Sequence, residues 1–127
     1  MILEFGMRTV IGQREFRCWP GDIRRRLMAL TIRDWSGMRT ALQCNDALLT
    51  WVLFEDKLPV AWSLVEYDRL DKKYNIMIYV RRDRRRHGYG KQVFAKAKQW
   101  VEGRGSSYFI YPDPYNEAFF RSVGAKV

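Results

Sequence analysis

Seven consecutive residues, Arg85-Arg86-His87-Gly88-Tyr89-Gly90-Lys91, have the types and spacing of an anion site. They follow an apolar run ending at Val80 and precede a helical pattern, so the glycines sit where a strand passes into a helix. The first turn of a helix leaves backbone N–H groups without partners, and the helix dipole adds partial positive charge there. Together these suit a pyrophosphate. Gly88 and Gly90 remove side chains so that a phosphate can approach the backbone, and Arg85, Arg86 and Lys91 add formal charge beside it. A Gly-capped strand-to-helix turn with a solvated arginine run is the competing reading of the same residues. His87, the single histidine, lies inside the turn, where a protonated ring assists anion binding and a base would be misplaced. With one histidine and two distant cysteines, Cys18 and Cys44, an ordinary zinc site is out of reach and no metal is expected.

Hydrophobic periodicity shows what must hold this turn in place. Arg8-Thr9-Val10 closes a weak opening strand, and Trp19-Pro20-Gly21-Asp22 reads as a helix start with Asp22 as the cap. Ile23, Leu27 and Leu30 follow at helical spacing, with Arg24, Arg25 and Arg26 outward; Trp35, Met38 and Leu42 suggest a second short helix. The period then changes to two. Leu48 to Phe54 and Val60 to Tyr67 read as strands around the polar connection Glu55-Asp56-Lys57-Leu58-Pro59. In the second strand Val60, Trp62, Leu64 and Glu66 share one face, and Ala61, Ser63, Val65 and Tyr67 the other. Tyr74 to Val80 completes an antiparallel meander. Val93, Phe94, Ala97, Trp100 and Val101 form the apolar stripe of a long helix that Gly103 and Gly105 end. Tyr108 to Tyr111 is a short strand, Pro112-Asp113-Pro114 a rigid turn, and Asn116 to Val123 a last helix closed by Gly124. Strand, helix and strand in that order imply a parallel pair with a right-handed crossover. The expected class is α+β, a meander followed by a βαβ unit, with residues 1–127 forming one domain.

Val80, Arg85, Gly88 and Gly90 also sit in a register that resembles the R-x-x-G-x-G motif of the GNAT (Gcn5-related N-acetyltransferase) superfamily. Asn116-Glu117-Ala118-Phe119-Phe120-Arg121-Ser122-Val123-Gly124 resembles the family's later N-x-x-A…G-F signature, and the likeness runs from about Leu48 to Gly124. It implies a mixed sheet with helices on both faces and a V-shaped opening between the strand ending at Val80 and the strand starting at Tyr108. Acetyl-CoA would lie there, its pantetheine arm pairing with backbone around Ile78 to Val80, its pyrophosphate on the amides of His87, Gly88, Tyr89, Gly90 and Lys91, and Asn116 touching the pantetheine. The implied reaction is direct acetyl transfer to an amine, which requires a base to deprotonate the amine and an acid to protonate the departing thiolate. Family acids are often a Tyr four residues before the closing glycine, and this chain has Phe120 there. Tyr111 and Tyr115 are the substitutes, each equally readable as a packing aromatic. Family bases are commonly a Glu on the fourth strand, which holds no acidic residue here. Glu66 is therefore the candidate, against the reading of a solvated strand-end carboxylate, with Glu55 weaker. The family usually continues past the closing glycine, whereas three residues remain here, so the C-terminal strands are shortened; either the acceptor site is open or another chain covers it, and a homodimer is expected.

The formal net charge of +9 attracts anions in general: a phosphorylated cofactor, nucleic acid, an acidic protein or a membrane surface. One or two arginines among Arg81, Arg82, Arg84, Arg85 and Arg86 have a cofactor explanation. The remainder, with Arg24 to Arg26 and Trp19, Trp35, Trp51 and Trp62, keep open a nucleic-acid-modifying enzyme, or else a core of tryptophans beneath solubilising arginines. Phe120 and the missing strand acid keep open a non-catalytic acyl-CoA-binding module. No run reaches the roughly 20 apolar residues of a membrane helix, and the start Met1-Ile2-Leu3-Glu4-Phe5 has no basic region before an apolar run. The expectation is a cytoplasmic protein, away from membranes, with reduced cysteines.

Overall fold

The computed structural model describes residues 8–34, 49–110 and 117–123. Its sheet has five strands in sequential order: β1 (Thr9–Glu15), β2 (Leu49–Glu55), β3 (Leu58–Asp68), β4 (Lys73–Val80) and β5 (Tyr108–Phe109). The first four pair antiparallel, and β5 joins β4 in parallel. The helices are α1 (Gly21–Asp34), α2 (Tyr89–Gly103) and α3 (Glu117–Ser122). The α+β class and the meander-then-βαβ order are therefore as expected.

β2 and β3 are apolar almost throughout because helices cover both of their faces. On one side Phe16, Trp19 and Leu27 pack with Val52, Trp62, Leu64 and Tyr79, with Ile23 and Met28 of α1 against them. On the other side Trp51, Val65, Ile76 and Ile78 meet Phe94, Ala97 and Val101 of α2, and Phe120 of α3. Side-chain hydrogen bonds fix the layers. The Ser63 hydroxyl donates to the Val93 carbonyl of α2 at 2.7 Å. The Trp19 indole N–H donates to Thr50 Oγ1 at 2.6 Å, and the Thr50 hydroxyl donates to the Arg14 carbonyl at 2.8 Å.

The β2–β3 connection is tighter than expected. Only Asp56 and Lys57 lie outside the strands, with φ of +48° and +72°, the left-handed pair of a two-residue hairpin whose twist matches its strands. Pro59 falls inside β3, beside a shift in register: Leu53 pairs with Ala61 but Phe54 pairs with Pro59. Val60 is the extra residue of a bulge, a position where a strand tolerates a neighbouring proline. That bulge corrects the expected facing, for Val60 packs with Ala61, Leu53 and Val93 rather than with Trp62 and Leu64.

Other boundaries move by a few residues. The opening strand runs Thr9–Glu15 rather than closing at Val10. Asp22 lies in the first turn of α1 and is not its cap, because the Arg24 N–H already donates to the Pro20 carbonyl at 3.0 Å. The paired part of β5 is two residues, not four. At the end of α2, Gly105 takes the left-handed conformation (φ +70°), with its N–H on the Glu102 carbonyl and that of Ser106 on Val101. The expected helix around Trp35, Met38 and Leu42, the Pro112–Pro114 turn and the closing Gly124 lie outside the described residues. Among the described residues no helix is long and apolar enough to cross a membrane.

Two glycines give opposite tests of this packing. A Cβ on Gly12 would come within 2.8 Å of the Trp19 ring, forcing the indole away from Thr50. Gly12→Ala should therefore destabilise by about 1–3 kcal/mol in chemical denaturation. A Cβ on Gly103 meets nothing within 4 Å, so Gly103→Ala should be neutral or stabilise by about 0.5–1 kcal/mol.

Candidate active site

β4 leaves the sheet at Val80, and a short 3₁₀ turn, Arg82–Arg84, leads into the glycine loop and α2. The loop bends through Arg86 at φ +67° and Gly88 at φ +77°. Gly88 is the residue preceding α2, and its carbonyl accepts the Gln92 N–H at 3.2 Å. The amides of Tyr89, Gly90 and Lys91 thus form the open first turn of a fifteen-residue helix. In front of them lies a cavity of about 640 Å³. Its floor is Ile78, Tyr79 and Val80; its basic wall is Arg84, Arg85, Arg86 and Lys91; Ala118, Phe119, Ser122 and Val123 close the side towards α3. Among the described residues β4 pairs with β5 at Tyr74–Tyr108 and Asn75–Phe109. Donors, basic charge and an apolar floor together fit a phosphate-bearing molecule with a slender apolar arm.

The turn is anchored by a carboxylate with no expected part in it. Glu55, at the end of β2, is 5% exposed. It accepts from Arg84 Nε at 2.6 Å and from the Tyr89 hydroxyl at 2.5 Å. The Tyr89 hydrogen bond and the Arg84 guanidinium hold its carboxyl below the usual carboxylate range, although burial works the other way. The Tyr89 phenol is pushed up by the same hydrogen bond and by burial. Arg84 also meets Asp83 at 3.1 Å, and Asp83 meets Arg81 at 2.8 Å. Glu55, weighed as a remote base, is instead the clamp joining the β2–β3 hairpin to the turn. Its partners lie 29 and 34 residues away, and no local pattern marks such a pairing.

Most residues named for the cofactor come together. Ile78, Val80, Arg85, Arg86, Gly88, Tyr89, Gly90 and Lys91 all line the cavity. Three carry different duties from those expected. Gly90 is buried, and a Cβ there would lie 2.9 Å from both Val80 and Phe119, so its missing side chain lets α2 close onto β4 and α3. A Cβ on Gly88 meets nothing; the constraint there is its positive φ. The His87 side chain does not line the cavity. It is exposed, with Nδ1 2.9 Å from the Arg85 carbonyl and 3.1 Å from that of Arg84, and its ring stacks on Tyr89. Both partners only accept, so Nδ1 carries the proton and the ring braces the back of the loop. The Val80 carbonyl already accepts from Arg85 Nε at 3.2 Å.

The candidate chemical groups are less gathered. Glu66 is half-buried on β3 opposite Asn75, three strand residues from Ile78 or roughly 10 Å along β4. Tyr111, Tyr115 and Asn116 lie outside the described residues. Phe120, in the position of the family's acid, is fully buried against Phe94. Trp19, Trp51 and Trp62 belong to the core and present no face for stacking; Trp35 lies outside the described residues. Among the described residues no group of His, Cys, Asp and Glu could hold a metal ion.

The model of the GNAT acetyltransferase family matches residues 11–125. No sequence among curated proteins matches the chain. Solved structures do. An aminoglycoside N-acetyltransferase, AAC(6')-Iy, in complex with CoA superposes with a TM-score of 0.70 at 16% identity, over 99% of this chain and 93% of that one. A predicted acetyltransferase from Clostridium acetobutylicum with acetyl-CoA gives 0.68 at 13% identity, over 94% and 91%. N-acetylglutamate synthase from Neisseria gonorrhoeae, complexed with coenzyme A and N-acetyl-glutamate, gives 0.68 at 18% identity, over 89% of this chain and 28% of that one. With a motif-bearing strand-to-helix turn and a family match across nearly its whole length, the chain belongs to the GNAT acetyltransferase family.

Proposed function

We propose that this acetyltransferase works in the cytoplasm and moves an acetyl group from acetyl-CoA directly to an amine, with the Arg85–Lys91 turn as the cofactor's phosphate site. The carrying observation is the cavity at the start of α2, where helix N–H groups, four basic side chains and the floor of β4 converge. Arg85, Arg86, Lys91 and the amides of His87 to Lys91 would hold the pyrophosphate. Ile78 to Val80 would carry the pantetheine arm, Val80 through its N–H or side chain since its carbonyl has a partner, with Asn116 alongside. When bound, acetyl-CoA supplies a thioester whose carbonyl gains negative charge during attack by the amine, and a β4 N–H near Val80 would stabilise that charge. Glu66 would take the proton from the amine through water, and Tyr111 or Tyr115 would return one to the thiolate.

A nucleic-acid acceptor is the second reading, favoured by one observation: Arg24, Arg25 and Arg26 are all exposed on α1, an element that adds nothing to the cavity. Phosphate contacts would supply that affinity, so binding to an arbitrary duplex should weaken steeply with salt. A homodimer over the acceptor side belongs to the proposal, and a monomer by light scattering removes it.

Calorimetric titration with CoA and acetyl-CoA tests the cofactor site. Arg85→Glu and Lys91→Glu, both at exposed positions, should each weaken binding about ten-fold or more while leaving the fold intact. Unchanged affinity in both would remove the phosphates from this turn.

Glu55→Gln should cost about 1–2 kcal/mol of stability at neutral pH by removing the charge from two hydrogen bonds, and weaken CoA by loosening Arg84 and Tyr89. Because Glu55 has a depressed pKa in the folded protein, its stabilisation is present above the ordinary carboxylate pKa and is lost as pH falls through the lower folded value. The unmodified protein should therefore lose more stability below about pH 4 than Glu55→Gln does. For Tyr89 the sign is opposite: its stabilisation is present below the ordinary phenol pKa and is lost as pH rises through the higher folded value. Denaturation midpoints measured against pH for both proteins check the pair.

A further inference from the structure

The basic wall of the cavity carries more positive charge than a pyrophosphate calls for. Of its cations, Arg84 is balanced by Glu55 at 2.6 Å and Asp83 at 3.1 Å. Arg85 is steered by its Nε, which donates to the Val80 carbonyl at 3.2 Å. Arg86 and Lys91 form no ion pair with another described residue. Lys91 stands in the first turn of α2, where the helix amides add partial positive charge to its own. The helix start, Arg85 and Lys91 already match the charge of a pyrophosphate diester. Arg86 is the cation left over.

Its backbone points the same way. Arg86 has φ +67°, in the left-handed region that costs an L side chain and suits glycine. The other described non-glycine residues with positive φ are Asp56, Lys57 and Lys72. They lie in the β2–β3 and β3–β4 connections, where hairpin turns commonly take that conformation. Arg86 belongs to no hairpin. Its loop is short, because Glu55 holds Arg84 on one side of it and Tyr89 on the other. A glycine would make the same bend without strain, so the side chain kept there has a use that outweighs it. Arg86 is exposed and lines the cavity, so a ligand reaches it without disturbing the core.

Coenzyme A offers a second anion for it to meet. Besides the pyrophosphate, CoA carries a 3′-phosphate on its ribose, a monoester with roughly two negative charges at neutral pH. We infer that Arg86 is the residue by which this protein selects CoA over carriers that lack the 3′-phosphate. Its planar fork of donors binds the monoester, while its charge still lies beside the pyrophosphate. The donor class is thus a 3′-phosphorylated acyl thioester, and dephospho-CoA or phosphopantetheine thioesters are poor donors. This rests on the acetyltransferase reading above and on its phosphate site.

Calorimetric titration of the unmodified protein with CoA and with dephospho-CoA, which lacks only the 3′-phosphate, reads the selectivity directly. CoA should bind about ten-fold or more tightly. Arg86→Gly and Arg86→Asn remove the charge while introducing residues that tolerate a left-handed backbone. In both variants the preference for CoA should fall to within about two-fold, with dephospho-CoA affinity changing by less than about three-fold. Without ligand, the thermal midpoint of Arg86→Gly should hold or rise by up to about 4 °C, because strain leaves with the side chain. Affinity lost with the midpoint held is a lost contact. A preference under about two-fold in the unmodified protein overturns the inference, and so does a preference that survives in both variants. A midpoint that falls in both variants makes Arg86 a structural residue and overturns it as well. If the unmodified protein binds neither molecule, the phosphate site itself fails; equal binding of both defeats this inference alone.

Discussion

The loop between β4 and α2 depends on one buried carboxylate. An ionised Glu55 could not stay in the interior without partners, because the desolvation cost of a lone buried charge exceeds what packing returns. Arg84 and Tyr89 satisfy it, and satisfying it shapes the loop. Arg84 fixes the last residue of the 3₁₀ turn, and Tyr89 fixes the first residue of α2. The positive-φ residues Arg86 and Gly88 lie in the span between these two fixed points. The arginine run also separates by duty: Arg81 and Arg84 are committed to carboxylates, while Arg85 and Arg86 face the cavity with Lys91.

A second constraint is the asymmetry of β4. One edge is paired with β3 over its whole length, from Ala61–Val80 to Asp68–Lys73. Along the other, pairing with β5 is described at Tyr74 and Asn75. Here α2 and α3 stand behind and beside it, with Gly90 letting Phe119 and Val80 come close. The cavity is lined by residues of β4, α2 and α3.

Features with a period or a local motif were legible in the chain. The α2 stripe, the faces of β3 beyond its bulge and the strand-to-helix glycine turn all depend on neighbours within a few residues. The bulge was not, since Pro59 marks an irregularity without saying which way Val60 turns. The clamp at Glu55 was not legible, because its partners Arg84 and Tyr89 are brought to it only by the folded hairpin. Gly90 showed how one signal carries two causes: phosphate approach and helix-to-strand closeness ask for the same missing Cβ. The acid and base were hardest, for they depend on which side chains meet a substrate, and Phe120 removes the family's usual marker.

The hairpin that carries Glu55 is also tied to the first strand. The Asp56 N–H donates to the Arg8 carbonyl at 3.0 Å, and the Arg8 N–H returns a bond to the Asp56 carboxylate. β1, an edge strand with Val10 exposed, thus lies beside Glu55, which anchors the loop before α2. Local opening in proteins follows cooperative units rather than single bonds. A disturbance at Arg8 or Thr9 therefore has a route through the hairpin to the loop before α2 without touching the cavity wall.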